Sequence, residues 1–436
     1  MCTLSQGRDM NIDRIYIENK ITGRKVVELN NIFIPESSIV GVKSDSFEDI
    51  VLFFSSIAKM TDLYPDFNFD VKIKSIYNEI LYFPEYPYTQ ISGLTSTVYG
   101  EIALPLIERC INETNIGKKV NQFLSLYELE DFKYRNPYSL STGELQKLLL
   151  CSQDICEPEI WLLLYPLSGL DRKNKAKIEQ IFQNRKENKI IFIFDQNIEK
   201  EEFIDFILDL KKGTLSNINL HHRNKKDFEL LTDYLNIKKI KENKDSELLI
   251  ELQNINFSYS EKSLLKNVSL VTKEAELILI TGPNGCGKTT LAKIIAGMLN
   301  PKRGKIYKNK KTDIIYIPPD PTNLFLKTKV KDEIEFILDW RKRKDKYNLN
   351  ELLNIFNLKE DLDKHIYELS LEKRKYLSIF EAVLLDKNLI ILDEPTSFVT
   401  ENFRKFLLLH MRNSLQLGKS FIIITHDFYL IRELSL

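Results

Sequence analysis

The chain has 436 residues, of which 43% are apolar, and its 62 Lys plus Arg are balanced by 62 Asp plus Glu. That is enough apolar sequence for two or three domain cores, which excludes a disordered chain, and the zero formal charge removes the simplest electrostatic case for nucleic acid or an anionic membrane as main partner. Cys2, Cys110, Cys151, Cys156 and Cys286 lack metal-ligand spacing and read as reduced, mostly buried thiols of a cytosolic protein; no run is long and uncharged enough to span a bilayer, and the first residues lack the basic-then-apolar layout expected of a signal peptide.

Along the first half, a loop is expected at Gly41-Val-Lys-Ser44-Asp45-Ser46-Phe47-Glu48-Asp49. Further on, Tyr138-Ser-Leu-Ser141-Thr142-Gly143-Glu144 opens a helix, for which Ser141 and Glu144 alone would make an ordinary capping box. Tyr165 comes next, followed by Ser168-Gly169-Leu170-Asp171, and then Asp195. A polar, Lys- and Asn-rich stretch over residues 216–246 predicts a linker between domains at 11–215 and 247–436, each of roughly 200 residues. His221 and His222 in that stretch, with His365 and His410, read as solvated or packed residues rather than ligands.

The second half carries the more explicit chemistry. Glu276-Leu-Ile-Leu-Ile-Thr281 reads as a buried strand running into Gly282-Pro-Asn284-Gly285-Cys286-Gly287-Lys288-Thr289-Thr290 and then a helix. This is a P-loop in its strand-loop-helix setting. Glycines such as Gly282, Gly285 and Gly287 let backbone N–H groups, that of Asn284 among them, close around phosphates, Lys288 supplies a point charge, and Thr289 can ligate Mg2+. Leu389-Ile-Ile-Leu392 ends in Asp393-Glu394, one carboxylate suited to hold magnesium and the next to polarise the attacking water. Phe421-Ile-Ile-Ile-Thr425 ends in His426-Asp427, and a histidine there can hydrogen-bond the γ-phosphate and that water. ATP and Mg2+ are the expected cofactors.

The two halves repeat one another. Gly41 answers Gly282, Ser141 answers Ser370, Tyr165 answers Glu394 and Asp195 answers His426, at offsets of 241, 229, 229 and 231.

These segments together resemble the ATP-binding cassette (ABC) ATPase domain. The resemblance implies a P-loop NTPase of the α/β class, with two tandem ABC-type nucleotide-binding domains, each having a core sheet and a helical subdomain. It places Tyr259 against adenine and His426 as the switch histidine. It also makes Ser141-Thr142-Gly143-Glu144 a signature motif and Ser168 to Asp171 a D-loop, because Ser141 to Tyr165 and Ser370 to Glu394 both span 24 residues.

In the first half, Phe47 stands where the P-loop lysine belongs, with acids at the magnesium-ligand position. Each misplaced carboxylate would repel a phosphate charge by up to roughly 4 kcal/mol at about 4 Å and an effective dielectric near 20. Leu164 and Tyr165 replace the paired acids, and Asp195 the histidine. In the second half, Ser370-Leu371-Glu372-Lys373 lacks both signature glycines, Glu372 is expected to oppose a phosphate, and Ser397-Phe398-Val399-Thr400 replaces the D-loop.

ABC domains pair head to tail, so the intact parts of both halves belong to one ATP site: Gly282 to Thr290, Asp393, Glu394 and His426 from the second, with Ser141, Gly143, Glu144 and Asp171 from the first. The halves are therefore expected to pair within the chain.

Finer resemblance is to energy-coupling-factor importers, through Tyr82 to Ala103 and Tyr316 to Phe325. In that family this loop meets integral membrane subunits, which implies contacts near residues 85–100 and 319–331. The family's loop glutamine is Glu85 in one half and Pro319 in the other, where either water or Asp320 is the expected substitute. A peripheral position at the inner face of the cell membrane follows, with a vitamin or transition-metal ion carried by other chains and no direct nucleic acid contact. The alternatives are a soluble ribosome- or nucleic-acid-associated ABC protein, or an ATP-dependent sensor. Finally, Phe203 to Gly213 resembles the closing strands of the family, and the second half, ending at Leu436 soon after His426, is expected to lack that sheet edge.

Overall fold

The computed structural model describes residues 9–44, 46–74, 77–84, 90–110, 112–195, 198, 201–217, 236–241, 246–259, 263–341 and 348–435. The chain divides into two compact α/β units, residues 1–224 and 225–436.

In the first unit the elements run β1 (Met10–Asn19), β2 (Lys25–Ile34), β3 (Ser38–Lys43), α1 (Phe47–Ile57), β4 (Phe67–Ile73), β5 (Ile80–Phe83) and α2 (Val98–Glu108). They continue with α3 (Glu113–Leu126), α4 (Thr142–Asp154), β6 (Ile160–Leu164), α5 (Arg172–Arg185), β7 (Ile190–Phe194), β8 (Phe206–Asp209) and β9 (Thr214–Asn217). The main sheet has the order β5-β6-β7-β3-β8-β9, parallel except for β9. Its middle strands β6 and β7, Ile-Trp-Leu-Leu-Leu and Ile-Ile-Phe-Ile-Phe, are buried at every position, as a parallel strand covered on both faces requires. β1, by contrast, alternates buried and exposed residues and sits in an antiparallel sheet β2-β1-β4.

The second unit repeats this plan with β10 (Asn236–Lys241), β11 (Leu248–Phe257), β12 (Leu265–Lys273), β13 (Leu277–Thr281), α6 (Lys288–Ile295), β14 (Arg303–Lys308) and β15 (Ile314–Ile317). After these come α7 (Val330–Arg341), α8 (Leu349–Ile355), α9 (Leu371–Leu384), β16 (Leu389–Asp393), α10 (Glu401–Gln416), β17 (Ser420–Ile424) and α11 (Phe428–Ser435). β15-β16-β17-β13 form the same parallel series as β5-β6-β7-β3, beside an antiparallel sheet β12-β11-β14. The helices α2 to α4 and α7 to α9 stand at matching places in the two units, as the duplication requires. Glu101 and Glu333, at matching places in α2 and α7, are both buried and both accept hydrogen bonds from the loop before their helix: Glu101 from Ser92 and Thr95, Glu333 from the Leu326 and Lys327 amides.

Three expectations change. Residues 216–246 are not all linker: β9 runs to Asn217, and β10 pairs antiparallel with β13 from Asn236↔Thr281 to Lys241↔Leu277. Nor does the second sheet lack an edge there, since β10 occupies the side of β13 that β8 occupies on β3. Lys239 holds the strand down, its ammonium 3.0 Å from the 2%-exposed carboxylate of Glu276. Thirdly, Gly41 is not a loop residue. β3 continues through Gly41–Lys43, pairing with Ile207–Asp209, and a Cβ on Gly41 would come within 2.7 Å of the Ile207 side chain. Residues 41–47 are as many as 282–288, but β3 runs on to Lys43 where β13 has already ended at Thr281, so the backbone that forms the loop in the second unit is taken up by strand pairing in the first.

Candidate active site

In the second unit the loop between β13 and α6 takes its shape from three glycines with positive φ: Gly282 at 143°, Gly285 at 77° and Gly287 at 101°. Side-chain-bearing residues rarely adopt such angles. At Gly287 a Cβ would also meet Leu265 at 2.7 Å. Lys288 opens α6 and is buried; its ammonium folds back onto the carbonyl oxygens of Gly282 and Pro283, each at 2.9 Å. Asn284 is half-buried, Thr289 is exposed, and Thr290 is buried with its hydroxyl 3.3 Å from that of Tyr259. The Tyr259 ring packs at a steep angle against Phe257, 4.9 Å between centroids, yet stays 67% exposed.

Asp393 and Glu394 leave the buried strand β16 one after the other. Tyr316 donates its hydroxyl to Asp393 Oδ2 at 2.9 Å, and the Thr289 hydroxyl lies close enough to Asp393 to influence its carboxyl. Burial pushes the Asp393 carboxyl up to about 6, with Thr289 and Tyr316 opposing the shift and Glu394 adding to it. Burial likewise pushes Glu394 up to about 7, against the pull of the Lys288 ammonium. A carboxylate this reluctant to stay charged is a competent proton acceptor near neutral pH. Glu394 Oε2 accepts from the His426 backbone N–H at 3.2 Å, and Oε1 lies 3.5 Å from His426 Nε2. Glu394 and His426, 32 residues apart, thus face each other because β16 and β17 are parallel neighbours.

The residues fit Mg2+. The Asp393 Oδ1 is buried without a hydrogen-bond partner, and hard oxygens from one hydroxyl and one carboxylate, completed by phosphates, suit this ion. Among the described residues no group of three or more His, Cys, Asp or Glu forms a metal cage of its own.

At the matching places of the first unit the chemistry is replaced by packing. Phe47 stacks on Tyr165 at 5.6 Å, and Phe194 closes on Tyr165 at 5.0 Å and on Phe47 at 6.0 Å. Tyr165 keeps the backbone of Glu394: φ is 51° against 46°, and its N–H donates to Phe194 O at 2.6 Å as that of Glu394 does to Ile424 O at 2.8 Å. Asp195 accepts from the Leu167 N–H at 2.7 Å, a structural duty. Between β3 and α1, the Ser44 hydroxyl donates to Asp49 at 2.7 Å.

Ser141 and Glu144 form a complete capping box at the start of α4, with Gly143 buried in the first turn, and Asp171 caps α5 by accepting from the Asn174 N–H. Those contacts satisfy the plain reading of these residues.

Glu372 is half-buried, and its carboxylate accepts from the Thr400 N–H at 2.5 Å, which ties α9 to the start of α10. Asp320 is engaged locally with Thr322, while Glu85 lies outside the described residues, as do His221 and His222. His365 caps a turn through the Tyr367 N–H and His410 is packed against Phe356 and Phe406, as their packed reading expects. Cys151 and Cys156 are buried, but Cys110 is exposed and so departs from the filler reading.

Sequence reasoning passed over Tyr316 and Lys375. A phenol ending a strand beside the acid-bearing strand was a signal for the first; a lysine within the apolar pattern of α9 was a signal for the second.

Residues 265–397 match the family model for ABC transporters. A Bacillus cereus protein described as an ABC transporter ATP-binding protein is 28% identical over 79% of this chain and 71% of its own. A similarly described Methanosarcina mazei protein is 28% identical over 78% and 72%. Among solved structures, that of the archaeal ribosome recycling factor aABCE1 with the stalk protein aP1 covers 97% of this chain and 86% of its own, at 19% identity and a TM-score of 0.59. At that identity the likeness is one of fold: α/β, of the P-loop ABC type.

Proposed function

We propose, from the premise that this chain is an ABC-type ATPase, that it energises a membrane importer through a single competent ATP site. The observation that carries the proposal is the division of labour between the units. Lys288, Asp393, Glu394 and His426 converge in the second, whereas Phe47, Tyr165 and Phe194 fill the matching place in the first. Random decay has no reason to leave the Ser141-Thr142-Gly143 helix start intact in the unit that lost its phosphate loop.

In this reading Tyr259 stacks on adenine, and the amides of the P-loop with the Lys288 ammonium hold the phosphates. Thr289 and Asp393 hold magnesium, which when bound neutralises phosphate charge and orients the γ-phosphoryl group. Glu394 takes a proton from the attacking water, and His426 steadies both. Ser141 and Gly143, at the N-terminus of α4, with Glu144 and Asp171 fixing the local backbone, complete the phosphate site when the units close on ATP. The names of the 28%-identical relatives support a transporter setting. The loops near residues 85–100 and 319–331 then meet integral membrane subunits of the energy-coupling-factor kind, which carry a vitamin or transition-metal ion, at the cytoplasmic face.

The test is ATP turnover by the purified chain, compared with Glu394→Gln and Ser141→Arg, with bound nucleotide counted. Both substitutions are expected to lower turnover about a hundredfold or more, with one nucleotide held per chain. Unchanged turnover in Ser141→Arg would rule out the shared site. A wild-type chain that binds ATP without hydrolysing it would make the protein a sensor, and co-purification with ribosomes instead of membranes would make it a non-transport ABC protein.

A further inference from the structure

Lys375 is 2% exposed in the interior of the second unit, on α9, with its ammonium gathered into the turn that follows β16. Its Nζ lies 3.1 Å from the carbonyl oxygen of Glu394, 3.2 Å from that of Pro395, 2.6 Å from that of Ser397 and 3.1 Å from the Ser397 hydroxyl. Three carbonyl dipoles pointing at one place repel one another, and a cation at their focus turns that repulsion into attraction.

The turn needs such help. Glu394 sits at φ 46°, a left-handed conformation that costs a side-chain-bearing residue free energy and persists only where surrounding contacts enforce it. The same residue carries the carboxylate facing His426. Its carbonyl oxygen also accepts from the Ser397 N–H at 3.2 Å and the Ser397 hydroxyl at 2.8 Å.

The first unit supplies an internal comparison. Tyr165 has the same left-handed backbone, and Gln146, at the place of Lys375, donates to the Tyr165 carbonyl at 2.9 Å. A carboxamide gives that turn one bond; the ammonium gives the turn of the second unit four contacts. The stronger clamp accompanies the acid, the weaker one accompanies the tyrosine.

We infer that Lys375 is a positioning residue for hydrolysis: by holding the carbonyl oxygens of Glu394, Pro395 and Ser397 it fixes the backbone that aims the Glu394 carboxylate, and so acts on turnover rather than on nucleotide binding. Burial pushes the Lys375 ammonium down to about 7, and Glu394, Asp320, Glu372 and Asp393 only partly oppose that shift; the four oxygen contacts, not the titration, make the clamp. Glu372 reinforces the clamp one turn earlier by accepting from the Thr400 N–H. The helix that lost its signature glycines thereby becomes a brace for the acid of its own unit.

The inference rests on Glu394 being the base of an ATPase, so the experiment includes that control. Full-length wild type, Lys375→Met, Lys375→Gln and Glu394→Gln are compared for kcat and KM of ATP hydrolysis, affinity for a non-hydrolysable ATP analogue, and melting temperature. Lys375→Met is expected to lower kcat about 10- to 100-fold, the scale of a small misplacement of a reacting group, with KM and analogue affinity within about threefold of wild type. Lys375→Gln, carrying the side chain of Gln146, is expected to recover part of that kcat, and it decides the matter should the methionine variant fail to fold. Wild-type kcat in Lys375→Gln together with Lys375→Met, or in Lys375→Gln where only it folds, overturns the inference. So does analogue affinity that falls in parallel with kcat. Absence of turnover in the wild type, or full turnover in Glu394→Gln, overturns the ATPase reading first and this inference with it.

Discussion

The ring of Phe47 lies stacked on that of Tyr165, 5.6 Å between centroids and 23° from parallel, at the two places where the second unit has Lys288 and Glu394. A cation and an acid have been exchanged for two aromatic rings, and Phe194 adds a third. The pair therefore serves the core of the first unit. Replacing both together, Phe47→Lys with Tyr165→Glu, should not create a second nucleotide site, because residues 41–43 remain paired in β3 instead of forming a loop. It should destabilise the unit by on the order of 2–4 kcal/mol, through lost packing and a buried carboxylate. Denaturant unfolding and a nucleotide count check both parts; two nucleotides per chain would show that the side chains alone silence this place.

Tyr259 offers an exposed ring fixed at both ends, by Phe257 and by the Thr290 hydroxyl. Tyr259→Ala is expected to raise the KM for ATP about 3- to 10-fold and to leave kcat within about twofold, as expected when stacking worth about 1 kcal/mol is lost equally from ground and transition states. Tyr259→Phe should behave as wild type. Steady-state kinetics decide, and an unchanged KM in the alanine variant would return Tyr259 to a packing role.

Lys239 on β10 reaches Glu276 at 3.0 Å, and Glu276 is almost wholly buried at the start of β13. Lys239→Met leaves that carboxylate with the Lys273 N–H as a remaining donor. A loss of about 1–3 kcal/mol from the second unit is expected, accompanied by faster amide exchange along β10. Exchange rates that stay put would mean that the strand is held by its backbone bonds alone.

His410 gives a pH dependence with a definite sign. Packed against Phe356 and Phe406, its imidazole is pushed by burial down to about 4. The unfolded chain, with an ordinary value near 6.5, binds this proton more readily than the folded one. Full stability is therefore expected above about pH 6.5, lost progressively as pH falls toward 4 and no further below that, by on the order of 1–3 kcal/mol. Urea unfolding at pH 7 and pH 5 measures it, and His410→Leu should flatten the difference. If the variant keeps the whole pH slope, other groups are responsible.

The chemistry of the second unit was legible in the chain because its parts are contiguous. Gly282 to Thr290 has to be read in one stretch for its amides to wrap a phosphate, and Asp393-Glu394 ends an unbroken apolar run because the strand behind it is buried on both faces. Both place their chemistry by local geometry. The duplication was legible for a related reason: equal spacings from helix start to acid reflect one strand-helix plan used twice.

Other features depended on contacts between residues far apart in sequence. Phe47, Tyr165 and Phe194 are separated by more than a hundred positions from first to last, and only the parallel order of β6, β7 and β3 brings their rings together. Gly41 was misplaced into a loop because a glycine before polar residues carries no sign of the strand beside it, and pairing with β8 extended β3 past it. Residues 236–241 look like linker by composition, yet the free edge of β13 recruits them through backbone bonds that composition does not encode. Lys375 was hidden for the same reason: a buried ammonium is tolerable only where several oxygens converge, and the fold assembled those oxygens from a turn 19 to 22 residues further along the chain. Local sequence thus determined which groups could meet a phosphate. The tertiary structure decided which of them are aimed, which are plugged and which are tied down, because those outcomes depend on packing between distant segments.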